Sequence, residues 1–104
     1  MGRVLIKSGV EPRALLLLAA IANVSRDLPF DVTITAGTDG KHKKNSKHYT
    51  GEALDIRSKN FPTRRAKQDF MAALLLRLGP GYEMFLESEG KDVEHFHLEF
   101  DKKV

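Results

Sequence analysis

The sequence predicts one α+β domain, with a small, mostly antiparallel sheet, helices packed on one face and a polar site on the other. Two apolar segments of helical length, residues 12–22 and 62–78, alternate with short runs of period-two hydrophobicity. Those runs put aliphatic and aromatic residues on one side and Thr, Asp, His and Glu on the other. A chain of 104 residues has room for one modest core, so residues 1–104 are taken as a single domain.

Val4-Leu5-Ile6 opens the chain as a short edge strand or an ordering contact. Pro12 then suits the first turn of a helix. Leu15, Leu18 and Ala22, with Leu16 and Ala19, fall at helical spacings, and their breadth predicts a largely buried helix. Pro29 ends the connection that follows. Residues 31–36 alternate as a half-buried strand, with Val32, Ile34 and Ala36 on one side and threonines on the other. Residues 37–50 form a polar loop that is long for so small a domain, and such loops are often functional.

Residues 53–57 give a second strand, with Leu54 and Ile56 inward and Asp55 opposite. Pro62-Thr63 begins a second helix, on which Phe70, Leu74 and Leu78 recur every four residues until Gly79-Pro80-Gly81 stops it. Strands over residues 82–86 and 95–100 follow, joined by a polar turn over residues 87–92. Phe61 and Tyr49 read as packing residues. Lys59, Arg64, Arg65 and Lys67 read as a solvated start to the second helix. The chain shows no repeat or linker that would divide it.

Composition narrows the function. At 41% hydrophobic and 30% charged, the chain is an ordinary globular one. Its longest apolar stretch, residues 14–22, is too short to span a bilayer, so no membrane partner is expected. The N-terminal apolar run is cut by Lys7 and lacks the length of a secretory signal. A cytoplasmic location as synthesised is therefore expected, with a separate route if the protein acts at a cell wall. With no cysteine, any metal must sit on His, Asp or Glu. The net charge of +3 is concentrated in residues 41–48. That run is either a solvated loop or an attractor for an anionic polymer. Its position before His48 favours a substrate; nucleic acid is the weaker alternative, and a monomer is expected.

Two segments carry chemistry: Ser46-Lys47-His48-Tyr49-Thr50-Gly51-Glu52-Ala53-Leu54-Asp55 and Glu94-His95-Phe96-His97. Alternation puts Phe96, Leu98 and Phe100 on one face of the last strand and His95, His97 and Glu99 on the other. If the apolar faces pack on the helices, Asp55 and His97 share the opposite face and His48 approaches from the loop. A catalytic zinc ion takes three ligands of this type and keeps one position for water, whose pKa it lowers to about 7. A carboxylate outside the ligand set would accept that water's proton and pass it to the leaving amine. Glu94 is the candidate, although in an unbroken strand it faces away from His97, so this role requires a bend at Glu94-His95.

Ser46-x-His48-x-x-Gly51-x-Ala53-x-Asp55 resembles the SxHxxGxAxD signature of the D-Ala-D-Ala and L-alanyl-D-glutamate metallopeptidases that cut bacterial peptidoglycan. Glu94-x-x-His97 is similar to that family's acid/base and last zinc ligand. His48-Tyr49-x-Gly51 with His95-x-His97 also resembles the hedgehog signalling domain, which shares the fold. The resemblance covers roughly residues 32–101. It implies a hedgehog/DD-peptidase-like fold, Zn2+ as cofactor and a peptidoglycan peptide as substrate. It also implies His48, Asp55 and His97 as ligands, Glu94 as general base and Ser46 as a substrate contact or a support for the ligands. The hedgehog branch leaves open a non-catalytic zinc-containing binding module. Many wall peptidases carry an upstream arginine that holds substrate or oxyanion. This chain has Lys41 and His42 there, either of which could supply the positive donor. His95 could orient a ligand, assist the oxyanion, or merely lie beside the site.

Overall fold

A computed structural model describes residues 2–7, 9, 14–36 and 53–100. Within them, strand β1 (Val4–Ile6) is followed by helix α1 (Leu15–Ser25) and strands β2 (Val32–Ala36) and β3 (Ala53–Arg57). Helix α2 (Arg64–Leu78), strand β4 (Tyr82–Glu87) and strand β5 (His95–Phe100) complete the order. The strands form one five-stranded sheet in the order β1-β2-β3-β5-β4. Only the β1–β2 pair at its edge is parallel. The α+β architecture and the mostly antiparallel sheet match the sequence expectation.

The core forms where the apolar strand faces meet the helices. Val32, Ile34, Leu54, Ile56, Phe96 and Leu98 are fully buried, and they cluster with Leu17 and Ile21 of α1 and Phe70 and Leu74 of α2. Phe61, just before α2, ties these layers together. Its ring lies 4.8 Å from Phe30, 4.9 Å from Phe70 and 5.1 Å from Phe96, at the tilted and edge-on angles that aromatic rings prefer.

Local chemistry sets the element boundaries. The Thr63 side chain caps α2 by accepting from the Ala66 N–H at 3.0 Å. Gly79 ends the helix at φ 83°, a conformation in which a side chain would be strained. At the other end of the chain, Gly2 lies against the Ser25 and Phe30 carbonyls, where a Cβ would collide. Next to it, Arg3 pairs with Asp31 at 2.9 Å and holds β1 beside β2.

Helix α1 departs from expectation. Its buried stripe is Leu17, Ile21 and Val24, whereas Leu15 and Leu16 are 64% and 70% exposed. A helix lying on one side of a sheet buries one stripe, however apolar the rest of its surface. The β2–β3 register also shifts between Ile34 and Ala36, so the simple alternation expected to run through Ala36 is interrupted. No helix among the described residues is long and apolar enough to cross a membrane.

The aromatic junction should dominate stability. Phe61→Ala is expected to cost about 3 kcal/mol in denaturant unfolding. Leu16→Ser should stay within about 0.5 kcal/mol, because its side chain is already in water.

Candidate metal centre

Strand pairing builds the site. In the β3–β5 register Asp55 lies opposite His97 and Arg57 opposite His95. In the β4–β5 register Phe85 lies opposite His97 and Glu87 opposite His95. All of these belong to the sheet face turned away from the helices. The apolar packing of Leu54, Ile56, Phe96 and Leu98 therefore directs Asp55, His95 and His97 to one polar surface.

His97 is gripped at both ring nitrogens. Nδ1 lies 2.9 Å from Asp55 Oδ1, and Nε2 lies 3.0 Å from Glu99 Oε1. A neutral imidazole has only one N–H to donate, so two facing carboxylates call for a cation at this ring, either a second proton or a metal ion. Without a metal, the hydrogen bond to Asp55 leads in raising the His97 pKa above its ordinary 6.5, supported by Glu99 and Glu87 and opposed by burial. With a metal near Nδ1, Nε2–H donating to Glu99 would fix the tautomer, as carboxylate partners do for ligating histidines.

Asp55, Glu87 and His97 each bring one ligand atom within 4.8 Å of the others, close enough to hold a metal ion. Glu87 Oε1 is 3.7 Å from His97 Nδ1 and 3.3 Å from His95 Nε2. His95 Nε2 is also 3.9 Å from Asp55 Oδ2. Its Nδ1–H donates to the Val93 carbonyl at 2.8 Å, leaving Nε2 directed toward the carboxylates. The Phe85 ring lies roughly parallel to His97, with centroids 6.5 Å apart.

Glu94 lies elsewhere. It follows Phe96 and Leu98 to the helix side of the sheet, as unbroken alternation demands, and the bend needed to turn it toward His97 does not occur. Its carboxylate accepts from Ser58 Oγ at 2.6 Å, Lys67 Nζ at 2.6 Å and the Gly90 N–H at 2.9 Å. Ser58 is fully buried, and the Glu94 side chain is 6% exposed. The Lys67 bond, then those from Ser58 and Gly90, hold its pKa down to about 2. A carboxylate so committed is a weak proton acceptor. Lys67, expected to be a solvated residue, is instead this group's half-buried partner.

Asp55, His97 and His95 thus come together, while Glu94 does not join them. His48, Ser46, Lys41 and His42 lie outside the described residues, as does Tyr49. Sequence reasoning missed Glu87, which was placed in the turn. Carrying the Tyr82, Met84, Leu86 alternation one residue further puts Glu87 on the histidine face. Lys67 was equally legible, since it shares the helical face of Phe70 and Leu74. No family model and no curated protein matches the chain.

The Lys67–Glu94 pair yields a stability prediction. Lys67→Met leaves the Glu94 charge without its cation and should cost about 3 kcal/mol at pH 7 in denaturant titration. Because the Glu94 pKa is lowered on folding, its contribution is complete above about 4.5 and fades as pH falls toward about 2. Wild-type protein should lose stability across that window, and Glu94→Gln should flatten the loss.

Proposed function

We propose that this chain is a zinc-dependent peptidase that hydrolyses a peptide bond in peptidoglycan stem peptides. The observation that carries the proposal is the direct Asp55–His97 pairing at 2.9 Å across β3 and β5, with Glu87 beside it. It brings together two residues that the signature resemblance names as zinc ligands. His48, named by the same resemblance, would be the third. The bound ion would supply Lewis acidity toward the scissile carbonyl and acidify a water toward neutral pH.

The surrounding residues account for the remaining steps. Glu87 faces the Asp55–His97 pair from the neighbouring strand and is the carboxylate placed to take a proton from the attacking water and return it to the leaving amine. His95 Nε2, 3.3 Å from Glu87, shares and relays that proton, while its Nδ1–H anchor to Val93 fixes the ring. Phe85 lies alongside the His97 imidazole, its ring centroid 6.5 Å away. Glu94 supports this arrangement from the far side of the sheet by fixing the β4–β5 turn through Gly90.

One observation favours a second reading, a non-catalytic zinc-containing module of the hedgehog kind. The glutamate that the resemblance names as base is committed to Lys67. Digestion of purified stem peptides by the zinc-loaded chain, read by mass spectrometry, separates the two. Cleavage at one bond type, falling by about 10²- to 10³-fold in Glu87→Gln with zinc retained, is the expected result. Intact peptides with wild-type protein would support the binding module instead.

A further inference from the structure

On the helix side of the sheet, away from the candidate metal centre, an apolar groove of about 550 Å3 runs between the end of α1 and the length of α2. Val24 and Phe70 in its walls are buried, and Phe30, Ala66 and Ala73 are half-buried. Leu76 also borders the groove and is 84% exposed. A concave apolar surface with an exposed leucine at its edge is the kind of patch that docks a partner.

The charges on α2 identify the occupant. Ala66, Asp69, Ala73, Leu76 and Arg77 fall at three- and four-residue spacings, so they lie along one side of the helix. Asp69 and Arg77 stand at equal distances in sequence on either side of Ala73. A second α2, packed antiparallel across a two-fold axis at Ala73, brings Arg77 of each copy against Asp69 of the other. The same operation sets Leu76 against position 70 of the other copy, where Phe70 lines the groove. The small side chain of Ala73 at the axis lets the two helices approach to about 8–10 Å. Arg77 has no hydrogen-bond or ion-pair partner among the described residues. Asp69 is held at Oδ1 by Arg65, at 3.0 Å, in an exposed pair of the kind that contributes little and rearranges readily. Asp27 adds negative charge on the α1 side of the groove.

We propose that this groove is the self-complementary interface of a homodimer, in which Leu76 of each copy enters the groove of the other and Arg77 pairs with Asp69 across the axis. An isologous interface needs one patch that carries both the projection and the hollow, with charges reversed about its centre. The α2 surface has all three properties. An unrelated apolar ligand would fill the groove but would give no role to opposite charges placed evenly about Ala73. The pairing leaves the histidine face of each sheet open, so the dimer presents two candidate metal centres outward, whatever their chemistry.

Sedimentation equilibrium of the full chain tests the interface, with circular dichroism verifying that each variant is folded. Wild-type protein should dimerise with concentration, half-associated near about 100 µM. Leu76→Glu, at an exposed position, should weaken association by at least about a hundredfold, because each dimer loses two buried leucines. Asp69→Arg or Arg77→Asp alone should weaken it about tenfold. The two together in one chain should restore it, since the pair re-forms with its charges exchanged. Wild-type protein that stays monomeric at about 1 mM overturns the proposal. Uptake of anilinonaphthalene sulfonate by that monomer, lost in Leu76→Glu, would assign the groove to a small apolar ligand instead. Association that survives Leu76→Glu, or that the double exchange fails to restore, also overturns it.

Discussion

The antiparallel register between β3 and β5 sorts the central residues of the sheet into core and polar surface. It sets Leu54 against Leu98 and Ile56 against Phe96 inside the core, and it sets Asp55 against His97 and Arg57 against His95 outside it. A slip of β5 by one residue would expose Phe96 and Leu98 and turn His95 and His97 into the core. The hydrophobic effect therefore specifies the polar surface indirectly. Burial of the apolar residues selects the register, and the site residues come into contact as a result. Phe61, packed among Phe30, Phe70 and Phe96, clamps the helix layer onto this register.

Two glutamates at opposite ends of the β4–β5 turn divide the electrostatic work. Glu94 points into the helix side, where Lys67, Ser58 and the Gly90 amide neutralise and fix it. A buried charge is costly unless it is paired and fully hydrogen-bonded, and here three donors meet that requirement. Glu87 points to the other face and remains half-exposed beside both histidines. The first links α2 to the hairpin and the second enriches the site in negative charge. The ring of His97, held between Asp55 and Glu99, is left where a cation is favoured. A metal ion would satisfy that electrostatic demand, and zinc is the ion that the signature resemblance implies.

Much of this was legible in the sequence because strand alternation is a strong signal. The limits of β3, the two faces of β5 and the shared face of Asp55 and His97 follow from counting alternate residues, whereas the pairing of β3 with β5 that brings those two into contact does not. Alternation also implied that Glu94 faces the helices, and the resemblance to a peptidase motif argued the other way; the alternation prevailed. What escaped notice depended on tertiary context. The apolarity of α1 does not reveal which stripe meets the sheet, so Leu15 and Leu16 could be placed only by packing. Lys67 looked like one more surface cation until a buried carboxylate appeared 27 residues later to pair with it. Glu87 was hidden by a turn boundary drawn one residue early. Ser46, His48, Lys41 and His42 lie outside the described residues, so the loop half of the proposed site rests on the motif alone.

Asp55 and His97 are proposed to form the heart of a metal centre. Zinc content per chain after equilibrium dialysis, measured for wild-type protein and for Asp55→Asn and His97→Gln, tests it most directly. The wild type is expected to hold one zinc per chain, with affinity reduced by at least about a hundredfold in each variant. Zinc uptake that is absent from the wild type, or unchanged when both side chains are replaced, would contradict it.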